Sequence, residues 1–200
     1  MPRRRIPTAR LDRLSDPLAK PLHTWERLAS EIAYACRIFS IRRDRARFSR
    51  DDAEHDFHVL ESTDWVNIVP LTPSGEVVLV RQFRHGIRNC TLEIPGGMVD
   101  PEDASPLVAA RREMIEESGY DSERLEALGS IHPNPAIQNN RCHSFVANDV
   151  ELRYVPTFDS TEETEVVLVP LVRIPELIRA GEISHALVVV AFHWLALRRG

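Results

Sequence analysis

The sequence predicts an α+β protein built as an α/β/α sandwich, with an antiparallel β extension at its N-terminal end. Three observations carry that expectation. Short β-type segments fill the first half of the chain, one helical segment at 106–118 interrupts them, and two further helical segments follow the last strands. This order departs from the regular alternation of a parallel βαβ repeat. The 200 residues suit one compact domain with a small extension, and 43% apolar residues suffice for a sizeable core.

Taken in order, residues 1–24 hold four prolines and many arginines without a period, and predict a loosely ordered arm. Residues 36–42 alternate in part, and 46–48 follow what reads as a short turn at Asp44, as in a hairpin. Residues 58–60 and 65–71 are further strands. The turn Thr72-Pro73-Ser74-Gly75 leads into EVVLVRQ at 76–82, and 91–94 is a strand stopped by Pro95. Residues 106–118 favour helix, with Pro106 tolerated in the first turn and Gly119 at the expected stop. Strands return at 125–132, 144–147 and 166–169, and helices at 174–180 and 185–198 complete the pattern.

The bulk properties exclude several classes. A net charge of −5 argues against a nucleic-acid binder, whose affinity would rest on a basic surface. No apolar run approaches the roughly 20 residues of a membrane span. The stretch at 186–197 is interrupted by His193 and predicts a buried helix. Arg3, Arg4 and Arg5 have no apolar segment behind them, so no secretory signal is expected. Cys36, Cys90 and Cys142 are odd in number and far apart, which fits free thiols in a reducing cytoplasm.

The helix at 106–118 is electrostatically awkward. At about 100° per residue, Glu113, Glu116 and Glu117 share one arc, flanked by Arg112, where Ala109 and Ala110 would leave the approach open. Leu107, Met114 and Ser118 fall on another side. Carboxylates at i, i+3 and i+4 repel by about 0.2–0.5 kcal/mol per pair. The last-turn position of Glu116 and Glu117 adds about 0.3–1 kcal/mol each through the helix dipole. A bound divalent cation reverses the sign of both terms; a solvated acidic face is the alternative. Upstream, Glu93-Ile94-Pro95-Gly96-Gly97 ends a strand in two glycines that allow close backbone approach to a ligand. Oxygen donors of this kind suit magnesium or manganese rather than zinc.

Gly97 followed by Arg112-Glu113-Met114-Ile115-Glu116-Glu117-Ser118-Gly119-Tyr120 resembles the Nudix box, G-x5-E-x7-R-E-U-x-E-E-x-G-U with U aliphatic. The second half matches apart from Tyr120 in the last place. In the first half Asp103 stands where the box has Glu, and eight rather than seven residues separate it from Arg112; Glu102 or Asp103 fills that place. The segments Arg81-Gln82-Phe83-Arg84, 93–97 and Gly181-Glu182-Ile183 are similar to the ADP-ribose pyrophosphatase branch, and the resemblance covers roughly 31–197.

The resemblance implies the Nudix sandwich around a mixed β-sheet and a magnesium-dependent hydrolysis. By position, the Gly96 carbonyl, Glu113 and Glu117 would hold metal with Glu116 assisting, and Arg112 would orient the glutamates. A catalytic base is implied in the acidic loop at 160–165, where Glu162 aligns best and Glu163 is its neighbour. Arg84, Glu93, Pro135 and Arg141 are the expected substrate-binding residues. Pro135 lies sixteen residues after Gly119, as in ADP-ribose hydrolases, although its flanks differ and Asn140 stands where some of these enzymes carry an acid. ADP-ribose is therefore the leading substrate. A GDP-mannose-type nucleotide sugar is the alternative, as is a catalytically weak nucleotide-binding module motivated by the displaced Asp103. His132 and His143 are the histidines considered for sugar or phosphate contact. The resemblance also implies a homodimer, with 1–60 as arm and dimerising β extension and 61–200 as the hydrolase domain.

Overall fold

The computed structural model describes residues 22–157 and 164–200. Strands β1 (Trp25–Ala35), β2 (Ser40–Phe48) and β3 (Glu54–Glu61) form a separate antiparallel sheet in the order β1-β2-β3. The expected turn at Asp44 does not occur. β2 runs unbroken through it, and the hairpin turns at 36–39, where Cys36 N–H donates to the Phe39 carbonyl at 2.9 Å. Asp44 is tolerated in mid-strand because Arg42 donates to its carboxylate at 2.9 Å and Ser30 at 2.6 Å, replacing the water that it loses. Trp25 stacks on Phe48 at 4.7 Å and meets Phe57 edge-on, an aromatic cluster within this small sheet.

The main sheet has seven strands. Its components are β4 (Trp65–Leu71), β5 (Glu76–Arg84), β6 (Asn89–Glu93), β7 (Gly96–Met98), then, beyond the two-residue β8 (Tyr120–Asp121), β9 (Arg124–Ile131) and β10 (Cys142–Asn148). After β11 (Glu151–Leu152), which pairs with β8, comes β12 (Thr164–Pro170). The order is β12-β5-β4-β10-β9, with β6 on β5 and β7 on β4. β4 and β10 run parallel and their neighbours antiparallel, so the sheet is mixed.

Helices cover both faces. α1 (Pro106–Ser118) packs over Val66, Ile68, Val78 and Phe145; α2 (Ile174–Ala180) and α3 (Ala186–Arg199) pack over Val69, Leu71, Val77 and Leu79. Successive residues of β4 and β5 thus serve opposite cores, which is why VVLV at 77–80 reads as an unbroken apolar run. α1 begins and ends where the sequence predicts. Ser105 Oγ caps Val108 N–H, and Gly119 adopts φ 75° to close the helix. Its buried face differs from expectation. Ala109 and Ala110 are fully buried with Met114, while Leu107 and Val108 are exposed. The two alanines let the helix settle closely on the sheet rather than open a path to the glutamates.

Candidate active site

Arg112 organises the end of α1. Its Nη2 donates to Asp103 Oδ2 at 2.9 Å and to the Met98 carbonyl at 3.1 Å, and its Nε to Asp103 Oδ1 at 3.3 Å. Its Nη1 donates to Glu113 at 2.9 Å and Glu116 at 3.0 Å. Asp103 is also fixed by the Asp100 N–H at 3.0 Å, whereas Glu102 is exposed. The ambiguity left by the extra residue is resolved: Asp103 reaches Arg112. The guanidinium holds the Asp103 carboxyl below its ordinary range, and the acids around Arg112 raise its own pKa, Asp103 most.

The remaining two glutamates meet the strand end. Glu117 is buried and its Oε2 accepts from Gly96 N–H at 3.0 Å. Glu113 lies directly over Gly97, where an added Cβ would come within 2.4 Å of Glu113 Oε1. Gly97 thus lets that carboxylate rest on the backbone, and a side chain there would displace the end of Glu113. Both glutamates and both glycines line a cavity of about 850 Å³. Its wall continues through Arg84, Glu93 and His185, and through Arg37 and Phe39 from the β1–β2 turn.

Glu93 is a buried carboxylate within this wall. Arg84 grips it by two hydrogen bonds, Nε at 2.9 Å and Nη2 at 2.7 Å; the Thr91 hydroxyl donates to Oε1, and His185 Nδ1 lies 2.8 Å from Oε2. Burial pushes the Glu93 carboxyl up, but Arg84, His185 and Thr91 outweigh it and hold the group well below the usual range. Four donors saturate a carboxylate. Glu93 therefore holds Arg84 and His185 in place rather than offering a ligand an oxygen of its own.

Residues 62–189 match the family profile of the NUDIX domain. The chain belongs to the Nudix hydrolase family. It is 28% identical over 134 residues to an ADP-ribose pyrophosphatase of Bacillus subtilis (strain 168), covering 66% of this chain and 72% of the relative. It is 33% identical over 127 residues to a GDP-mannose pyrophosphatase of Salmonella typhimurium, covering 60% and 65%. A methanol dehydrogenase activator of Bacillus methanolicus is 27% identical over 134 residues, covering 66% and 72%. The solved structure of an ADP compounds hydrolase superposes with a TM-score of 0.78 at 23% identity, covering 89% of this chain and 95% of the other, and shares the fold.

Within the Nudix framework the expected residues separate into two groups. Arg84, Glu93, Gly96, Glu113 and Glu117 meet at the cavity, with Arg112 and Glu116 just behind. Pro135 and Arg141 do not line it. Pro135 is exposed in the β9–β10 loop, and Arg141 donates to Ser130 Oγ at 3.0 Å; from that loop Gln138 reaches the cavity instead. His143 pairs with Asp64 at 2.9 Å and also stays outside. Glu162 and Glu163 lie outside the described residues. Sequence reasoning missed His185 and Asn67, which both line the cavity. The only signal for either is its place by a segment already singled out, just after 181–183 for His185 and within β4 for Asn67.

Nudix hydrolases use a divalent metal, and the donor set fits one. Among the described residues no three His, Cys, Asp or Glu side chains form a metal cage. Magnesium, however, is held by one or two carboxylates, with water and substrate phosphates completing the shell. Glu113 and Glu117, on the cavity wall beside Gly96, could supply those carboxylates, and the donors are all oxygen. Glu116, 42% exposed and paired with Arg112, is the residue that could assist.

Proposed function

We propose that the chain hydrolyses the diphosphate of a nucleoside diphosphate sugar, ADP-ribose foremost, to a nucleoside monophosphate and a sugar phosphate. The observation that carries this is a single cavity with Glu113 and Glu117 on one wall and the Arg84–Glu93 pair on another. Magnesium is the proposed ion, with manganese a substitute, held by Glu113, Glu117 and the Gly96 carbonyl. When bound, such an ion polarises phosphoryl oxygens and lowers the pKa of a coordinated water. Arg112 keeps Glu113 and Glu116 in place, and Arg84, already oriented by Glu93, presents positive charge to a phosphate. The base is assigned to Glu162 or Glu163 by resemblance alone.

The homologous ADP-ribose pyrophosphatases support the substrate. The higher identity to GDP-mannose pyrophosphatases favours that nucleotide sugar as the second reading. A homodimer formed through 1–60, with 61–200 as the hydrolase domain, belongs to the same proposal. It is supported by β1, eleven residues long and exposed throughout. A cytoplasmic setting is supported by three free cysteines. No helix among the described residues is long and apolar enough to cross a membrane. Nucleic acid is not a proposed partner.

A panel of diphosphate substrates with magnesium or manganese tests the reading. ADP-ribose should yield AMP and ribose 5-phosphate, and EDTA should stop the release. Faster turnover of GDP-mannose would transfer the assignment to the second reading. Nucleotide binding without turnover of any substrate would overturn both.

A further inference from the structure

His185 occupies the N-cap of α3, yet its side chain caps nothing. A Ser, Thr, Asp or Asn there would satisfy the first free N–H groups of the helix. The imidazole turns instead to the cavity wall, where Nδ1 meets Glu93 Oε2 at 2.8 Å. An ionised carboxylate only accepts hydrogen bonds, so Nδ1 carries the proton. Arg84 grips the same carboxylate through its paired contacts at 2.9 and 2.7 Å, and with Nδ1 turned to Glu93 the ring nitrogen left to the cavity is Nε2. Nε2 lies on the far edge of the ring from Glu93 and has no hydrogen-bond partner among the described residues. The His185 side chain is 39% exposed, against 3% for Glu93, so the ring spans from the buried carboxylate to open cavity.

A hydroxyl both donates and accepts, so it can pair with a ring nitrogen in this wall whichever way the hydrogen bond runs. We propose that His185 is a specificity-determining residue whose Nε2 shares a hydrogen bond with a hydroxyl of the substrate's sugar. The proposal rests on reading the cavity as a nucleoside diphosphate sugar site and adds a division of labour within it. Arg84 faces the anionic part of the ligand, His185 the neutral sugar, and the saturated Glu93 positions both. The two sugars of such a substrate share this hydroxyl chemistry, and the two reaction products separate them. Of the chain's histidines, His143 and His132 are spoken for by Asp64 and Arg141 outside the cavity.

Two substitutions divide contact from positioning. His185→Asn keeps an N–H near the place of Nδ1 to hold Glu93 but puts nothing at Nε2. His185→Gln places an amide near Nε2 and gives up the Glu93 contact. Ribose 5-phosphate and AMP are titrated calorimetrically into wild type and both variants, each checked for an unchanged melting profile. Monodeoxy analogues of whichever product binds are titrated as well. H185N should weaken that product by about tenfold, the value of one hydrogen bond, while H185Q retains most of the affinity. One deoxy analogue should bind wild type about as poorly as the parent product binds H185N, and H185N should not distinguish the two. In turnover, H185N should raise KM with kcat little changed.

Loss in H185Q with H185N intact would make His185 a support for Glu93 alone and overturn the proposal. So would equal binding by all three proteins, absence of any deoxy discrimination in wild type, or wild-type binding of neither product. Intact product binding by a wild type that hydrolyses no diphosphate sugar would overturn the hydrolytic reading and leave His185 standing.

Discussion

The two ends of Arg112 have different duties: one holds the Asp103 carboxylate and the Met98 carbonyl, with Asp100 3.3 Å away, and the other holds Glu113 and Glu116. Asp103→Asn should therefore release that grip and lower activity by about 10–100-fold, as loss of a ligand-orienting partner does. Glu102→Gln, at an exposed position, should leave kcat and KM unchanged. Equal losses in the two variants would contradict the assignment of Asp103 to the box. Glu117 lends itself to a sharper separation. A glutamine there still accepts from Gly96 N–H, so the 3.0 Å contact survives while the charge is removed. Glu117→Gln should cut turnover by orders of magnitude with a metal-free melting temperature at or above that of wild type. Unfolding instead would mark the carboxylate as structural.

At the scale of elements, α1 is set by the size of its side chains as much as by its charges. Ala109 and Ala110 are 0% exposed in the core that α1 shares with β4, β5 and β10, and this close seat is what places Glu113 over Gly97. Ala110→Leu should destabilise the protein by about 1–3 kcal/mol through overpacking, read as a lowered denaturation midpoint. It should also lower activity, because the helix can relieve the clash only by moving its glutamates from the strand end. Gly97→Ala isolates the second effect. Its added methyl meets the carboxylate of Glu113, a group at the end of a flexible side chain, so the fold should survive while the apparent magnesium requirement rises.

At the scale of the whole molecule, ion pairs make stability depend on pH in a definite direction. Burial raises the Glu93 carboxyl but its donors lower it further; Arg112 lowers Asp103 and Arg111 lowers Asp121. For each, the folded state binds protons less readily than the unfolded chain. Their contribution is therefore full above about pH 4.3, the unfolded range, and is lost as pH falls below it through the folded values. A melting-temperature series from neutral to acid should be flat first and then fall, and a fall beginning well above that range would implicate other groups. Thiol chemistry provides an independent check on the core. Burial pushes Cys142 up to about 12, while Cys36 and Cys90 are exposed. The native protein should react with a thiol reagent at two sites, and the third should appear only on unfolding.

Much of this protein follows from its sequence alone. The bounds of α1, the strands β4 and β5, the box residues and the case for a cation all rest on local spacing, helix periodicity and charge, which act over a few residues. Other features needed the folded chain. Whether Glu102 or Asp103 meets Arg112 depends on the path of a loop. The inward seat of Ala109 and Ala110 depends on how near a sheet lies, and the continuity of β2 through Asp44 depends on Arg42 and Ser30 standing beside it. Pro135 and Arg141 resemble binding residues by position yet stay off the cavity, while His185, 92 residues from Glu93, completes it. Contacts between distant segments leave no period or motif in the chain, because only the closed tertiary structure sets their distance.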